Sequence, residues 1–142
     1  MNWEDQLHVA ILGIANLANR SDVDAHLLRA AGVKLDRALF PLLSQIGLAG
    51  EISTVALANL VGRDHSTISR QAAKLDELGL VVRTTSREDK RVRLLTPSDR
   101  GQALLQTIGE SRREILRRHF SDWTEQDRSQ LIKLMTRVTS PR

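Results

Sequence analysis

Residues 62–97 read GRDHSTISRQAAKLDELGLVVRTTSREDKRVRLLTP, and the order of signals in that run decides the fold. Gly62-Arg63 makes a turn. Asp64 then offers a side-chain oxygen to the free N–H groups of a helix start, so a helix is expected over His65–Glu77. Gly79 closes it, because glycine takes the left-handed conformation needed just past a helix end. Beyond Gly79 the pattern changes period. Residues 80–85 and 92–95 are β-branched and alternating, with Ser86-Arg87-Glu88-Asp89-Lys90-Arg91 between them, which predicts a β-hairpin with a long basic tip. Upstream, Ser53 is placed to cap a short helix, Thr54–Val61, whose Val55, Ala56, Leu57 and Leu60 are expected to pack inward. Two short helices joined by a tight turn and followed by a basic hairpin describe a winged helix-turn-helix.

The flanks are helical by the same rules. Leu7, Ile11, Ile14 and Ala18 recur at helical spacing and predict an amphipathic helix over roughly residues 4–20. Ser21-Asp22-Val23-Asp24 is a polar break, and residues 25–31 predict a short helical piece ended by Gly32. Asp36 is read as the cap of a helix running to about Ile46 and closed by Gly47; Pro41 inside it should kink that helix or delay its start. Thr96-Pro97 is read as the start of a long helix reaching about Phe120, with Thr96 as cap and Asp99 completing a capping box. Thr124, with Asp127 three residues on, caps a last helix carrying Leu131, Leu134, Met135 and Val138. The expected fold is mainly α with a small β-hairpin wing.

Length and composition bound the function. A chain of 142 residues with 41% hydrophobic content suits one small globular domain rather than a multidomain enzyme. It has no cysteine, which removes disulfides, thiolate metal sites and thiol chemistry together. An acidic opening, Met1-Asn2-Trp3-Glu4-Asp5, and the absence of a long apolar run argue against a signal peptide or membrane span, so a cytoplasmic setting is expected. The net charge of +4 is unevenly spread: residues 1–50 carry −1, residues 51–98 carry +2 and residues 99–142 carry +3. Seventeen of the 21 cations are arginine, the side chain suited to bidentate contacts with phosphate and guanine.

The chemistry sits on one helix face and one hairpin. On a helical wheel of residues 65–78, Ile68, Ala72, Leu75 and Leu78 share a face and are assigned to the core. The other side presents Ser66, Arg70, Ala73, Lys74 and Glu77, flanked by Thr67 and Ser69. Short hydroxyls, a small apolar residue and two cations allow close approach to base edges. The free N–H groups and partial positive charge of the helix start favour a phosphate beside His65, Ser66 and Thr67. The hairpin, residues 83–93, carries Arg83, Arg87, Lys90, Arg91 and Arg93 against Glu88 and Asp89, a net +3. A basic tip beside a recognition helix fits the negative potential of a narrow minor groove.

At these residues the chain resembles the MarR family of bacterial winged-helix transcription regulators, over about residues 35–138. The matching portions are Asp64-His65-Ser66-Thr67-Ile68-Ser69-Arg70, then Leu75-Asp76-Glu77-Leu78-Gly79-Leu80-Val81, then Asp89-Lys90-Arg91 and Val92-Arg93-Leu94-Leu95-Thr96-Pro97. The resemblance implies a single domain over residues 1–142, with a DNA-binding region at about 36–97 and a helical dimerisation region at about 1–34 and 98–142. It places Arg91 in the minor groove, with Asp89 as the ion-pairing residue that holds the wing. It further implies a homodimer built from the first, fifth and sixth helices, a pseudo-palindromic double-stranded operator, and mostly repression. A small anionic or aromatic effector between the two regions would relieve it, with DNA-bound protein associated with the nucleoid. On this reading Ser66, Thr67 and Arg70 contact bases, while Ser69, Lys74, Arg83 and Arg93 contact phosphates. Pro41 and Asp99 depart from the family pattern.

Other chemistries find less support. No glycine-rich phosphate loop, G-x-S-x-G or H-E-x-x-H run occurs, so no enzyme activity and no cofactor are expected. His8, His26, His65 and His119 are scattered, and His119 with Glu114 or Asp122 is better read as a packing or surface residue than as a metal site. Trp3 and Trp123 are assigned to core or interface packing. Arg112, Arg113, Arg117 and Arg118 form a second basic cluster, read as a solvated or ion-paired face. The alternative reading is a winged-helix module that binds an acidic protein partner instead of DNA.

Overall fold

The structure is a computed structural model that describes residues 2–19, 28–29, 32, 35–36 and 38–141. Its elements are α1 (Trp3–Asn19), α2 (Leu39–Ala49), β1 (Ile52–Ser53), α3 (Thr54–Val61), α4 (His65–Glu77), β2 (Val81–Thr85), β3 (Arg93–Pro97), α5 (Asp99–His119) and α6 (Glu125–Thr139). Six helices and a small three-stranded antiparallel sheet, ordered β1-β3-β2, make up the described residues. They fall into two compact units, Met1–Ile108 and Gly109–Arg142. No helix among the described residues is long and apolar enough to cross a membrane.

The first unit holds the core. Leu43, Ile46, Ile68, Leu75 and Leu95 are fully enclosed, drawn from α2, α4 and β3, and Leu57, Leu80, Leu104 and Ile108 close the cluster. Full burial of each such side chain contributes about 1.5–3 kcal/mol. On α3 the buried positions are Thr54, Leu57 and Ala58, with Val61 packed against the cluster. Val55 and Leu60, expected to point inward, are more than half exposed. The 54/57/58/61 spacing is a helical face in its own right, and a helix of eight residues can turn only one narrow face to the core.

Three helix starts lie at the caps the sequence offers. The Ser53 Oγ accepts the Ala56 N–H at 3.0 Å, the Asp64 Oδ1 accepts the Thr67 N–H at 2.9 Å and the Thr124 Oγ1 accepts the Asp127 N–H at 3.1 Å. Gly79, at φ +74°, turns the chain out of α4.

Three boundaries differ. Asp36 is not the cap of α2: its carboxylate accepts the Ala38 N–H at 3.0 Å, and the helix begins at Leu39. That delayed start puts Pro41 in the first turn, where N–H groups have no intrahelical partner, so the proline costs no backbone bond there. Nor does Gly47 end α2, which continues to Ala49 and closes on Gly50 at φ +76°. Gly47 instead serves a close crossing, since a Cβ there would come within 2.6 Å of Leu105 Cδ1.

The third concerns α5. Thr96 and Pro97 do not start it; both lie in β3, opposite Val82 and Val81. Ser98 is the capping residue, its Oγ accepting the Gly101 N–H at 3.0 Å and donating to the Gly79 carbonyl at 2.6 Å. Sheet pairing across the chain overrides the local Thr-Pro signal. Gly101 permits the fit, because a Cβ there would overlap the Leu80 carbonyl oxygen. The strand β1, which pairs Ile52 with Leu95 and Ser53 with Leu94, has no sequence signature at two residues.

The second unit contains the last turns of α5 and all of α6. Arg128 Nη1 donates to the carbonyls of Trp123 at 2.9 Å and Phe120 at 3.4 Å, tying down the turn between the helices. His119, Phe120 and Trp123 stack edge to face with centroids 4.9 Å apart at each step. No residue of α6 is buried.

The 21–24 break, most of the 25–31 piece, His26 and the Ala18 side chain lie outside the described residues. Within that region Leu28 is buried, and Gly32 has φ +72° with its N–H on the Arg29 carbonyl.

Candidate nucleic-acid interface

The geometry of the interface follows from how α4 is seated. Ile68, Ala72 and Leu75 are buried, and 3.6-residue periodicity then turns Ser66, Arg70 and Glu77 to the far side. Ser66, Arg70, Lys74 and His65 are exposed, while Thr67, Ser69 and Ala73 are half-buried on the shoulders. Asp64 organises the helix start. Hydrogen bonds from the Thr67 side chain and backbone N–H hold its carboxyl below the usual aspartate value, so it remains an anion that accepts bonds. Ser66 Oγ lies 3.4 Å from Asp64 Oδ2, and Arg70 Nη2 lies 3.5 Å from Thr67 Oγ1. His65 Nε2 stands 3.4 Å from the hydroxyl of Thr54, the buried polar residue of the core.

The hairpin tip is ordered by one carboxylate. Asp89 Oδ1 accepts the Arg91 backbone N–H at 3.0 Å and Arg91 Nε at 3.1 Å, and Oδ2 accepts Nη2 at 3.3 Å. These bonds, the guanidinium's first and the backbone's second, hold Asp89 below its ordinary value. The Arg91 side chain is nonetheless 91% exposed. The tip is closed by Ser86 N on the Val92 carbonyl, Val92 N on the Asp89 carbonyl, and Glu88 N on Ser86 Oγ. Arg87, Lys90 and Arg93 stand exposed around it.

Two polar links emerge that sequence reading does not assign. Arg83, expected on a phosphate, has its Nε on Asp76 Oδ2 at 3.0 Å. Arg63, read only as a turn residue, donates from Nη1 to Gln71 Oε1 at 3.0 Å and to the Ala38 carbonyl at 3.2 Å. Both join residues from different elements, so neither leaves a periodic signal. Lys74 sits 3.7 Å from Glu77, an exposed pair of small energetic weight. In the other basic cluster, Arg118 pairs with Glu114 at 3.6 Å, while Arg113 and Arg117 line an apolar groove.

Comparisons with known proteins agree with this architecture. A family model described as MarR family matches residues 34–92. The uncharacterized HTH-type transcriptional regulator YxaD of Bacillus subtilis is 32% identical over 104 residues, spanning 73% of this chain and 73% of that protein. Among solved structures, a probable transcriptional regulator from Pseudomonas aeruginosa has a TM-score of 0.66 at 28% identity, covering 96% of this chain and 99% of that one. A mutant MarR from E. coli complexed with operator DNA shares the fold, with a TM-score of 0.64 at 21% identity over 92% and 96% of the two chains. With a winged helix, a capped recognition helix and an Asp-x-Arg hairpin tip in place, the chain belongs to the MarR family of transcriptional regulators.

Proposed function

We propose that this regulator acts as a homodimer that reads a pseudo-palindromic double-stranded operator and represses transcription until a small anionic or aromatic ligand releases it. Region 36–97 is the reader; the helices of 1–34 and 98–142 form the dimer. Ser66, Thr67 and Arg70 contact base edges in the major groove, and Arg91 enters the adjoining minor groove. His65, Ser69, Lys74, Arg87, Lys90 and Arg93 supply phosphate contacts and salt-dependent affinity. Two-fold symmetry delivers two such readers to two half-sites.

The observation that carries this reading is the pairing of an outward polar α4 face with a wing whose arginine is pre-set by Asp89 through three hydrogen bonds. Pre-setting lowers the ordering cost of inserting the side chain. Support for the dimer comes from apolar surface: α1 exposes Trp3, Leu7, Ile11 and Ile14, and α6 exposes Ile132, Leu134, Met135 and Val138. Within the second unit, an apolar groove of about 590 Å³ is lined by Leu116, Phe120, Leu131 and Ile132. Exposed apolar stripes of this kind mark association sites.

The test is binding of the full chain to duplexes selected from its flanking genomic DNA, against random duplex, over a salt series. A steep, salt-sensitive preference is expected. The double variant Arg70→Ala/Arg91→Ala should lose operator binding at least a hundredfold with its thermal midpoint unchanged. Equal affinity of the native protein for operator and random duplex would refute the reading and leave the acidic-partner alternative.

A further inference from the structure

We propose that Arg63 and Arg83 are positioning residues that set the roll of the recognition helix from its two flanks, so that Arg83 acts through Asp76 and not as a phosphate ligand. The inference rests on the DNA-reading proposal and assigns work within that same site.

The apolar seam of α4 consists of Ile68, Ala72 and Leu75. Such a seam fixes how deep a helix sits but resists rotation about its axis weakly, because apolar contacts are non-directional. Ala72, at the middle of the seam, offers only a methyl group as a stop. Directional bonds lie on either side. At about 100° per residue, Gln71 falls about 70° to one side of the seam's centre and Asp76 about 70° to the other. Gln71 is held by Arg63, whose Nη1 also grips the Ala38 carbonyl at the head of α2. Asp76 is held by Arg83 on β2, where Arg83 stands opposite the buried Leu95 in the ladder. One flank is thus tied to α2 and the other to the sheet that carries the wing.

The consequence is geometric. Side-chain tips on a helix lie about 6 Å from its axis, so a 20° roll moves them about 2 Å. Base-edge hydrogen bonds do not survive a displacement of that size. A helix free to roll would still touch phosphates, whose attraction is long-ranged and tolerant of position, but would lose its reading of sequence. Arg63 is half-buried, and the Arg83 side chain is 36% exposed with its Nε committed to Asp76. That placement separates both from Arg91, whose side chain is almost wholly exposed.

Arg83→Ala, Asp76→Ala, Arg63→Ala and Gln71→Ala discriminate the two roles when operator and random-duplex affinities are measured over a salt series. Positioning predicts that each variant loses at least tenfold in the operator-to-random ratio, with random-duplex affinity within twofold of native and the salt slope unchanged. A phosphate contact predicts that Arg83→Ala weakens both duplexes alike and lowers the salt slope by about 1. It also predicts that Asp76→Ala, which frees Arg83 and removes a negative charge, binds both duplexes at least as well as native. That pair of results would overturn the proposal. Should Arg83→Ala fail to fold by thermal unfolding, Asp76→Ala decides alone, since it leaves the wing sequence intact. Absence of operator preference in the native protein is a separate failure: it removes the DNA-reading proposal, and this one with it.

Discussion

The winged-helix region and the last helix treat apolar side chains in opposite ways. Between Leu39 and Ile108, Leu42, Leu43 and Ile46 of α2, Ile68 and Leu75 of α4, Leu95 of β3 and Ile108 of α5 are buried. In α6 no residue is buried, and Ile132 and Val138 are 66% and 81% exposed. Yet the two regions carry similar patterns, with apolar residues recurring at three- and four-residue spacing. The same periodicity that closes a core in one place leaves a stripe in the other. What differs is the supply of facing surface: α2, α3 and β2 pack against α4, and among the described residues of the second unit nothing encloses α6. The periodic pattern therefore specifies a face and says nothing about whether the face is satisfied within one chain.

That contrast yields a paired substitution. Leu75→Ala, in the enclosed seam of α4, should lower unfolding stability by about 2–5 kcal/mol by leaving a cavity. Leu134→Ala, on exposed α6, should change the unfolding free energy of dilute protein by no more than about 0.5 kcal/mol. Its effect should appear in sedimentation equilibrium as weaker self-association. Equal losses of stability at both sites in dilute solution would erase the distinction between the regions.

The glycines of α5 sharpen it. A methyl at Gly101 would run into the Leu80 backbone carbonyl, whereas at Gly109 it meets only the movable Arg113 Nη1 at 3.4 Å. Gly101→Ala should therefore cost at least about 1–3 kcal/mol. Gly109→Ala should raise stability by up to about 1 kcal/mol, through helix propensity alone. One chemical change in one helix is expected to have opposite signs, readable from thermal midpoints.

The smallest effect is in acid. Asp64 and Asp89 both have carboxyl groups held below their ordinary values in the folded chain. Protonation thus favours the unfolded form. Their contribution is complete above the unfolded aspartate value of about 3.9 and fades as pH falls through the lowered folded values. Denaturant titrations from pH 7 to pH 3 should show this loss, and Asp64→Asn/Asp89→Asn should flatten it, since asparagine caps a helix without titrating. The Thr124 cap of α6 carries no charge, so Thr124→Ala should leave the shape of the acid profile unchanged.

Legibility divided along the same line. Ser53, Asp64 and Thr124 were readable as caps because a cap and its N–H lie three residues apart in the chain. Gly79 was readable for the same reason. The Thr96-Pro97 signal misled because Thr96 and Pro97 are claimed by Val82 and Val81 across the sheet. Gly47, read as a terminator, is small because Leu105 crosses there. Within the interface, the exposed arginines were accessible to reading by composition and position, and the Asp89–Arg91 pair through the resemblance to the MarR family. The Arg63–Gln71 and Arg83–Asp76 links were not, since each depends on where a separate element comes to rest.

By itself the sequence determined the helices, the caps at Ser53, Asp64 and Thr124, the hairpin and the placement of positive charge, because these follow from backbone hydrogen bonding and periodicity over a few residues. Only the tertiary structure decided which apolar faces are enclosed, where β3 yields to α5, and which arginines are committed to partners within the fold. Those outcomes turn on contacts between residues far apart in the chain, whose geometry no local pattern encodes.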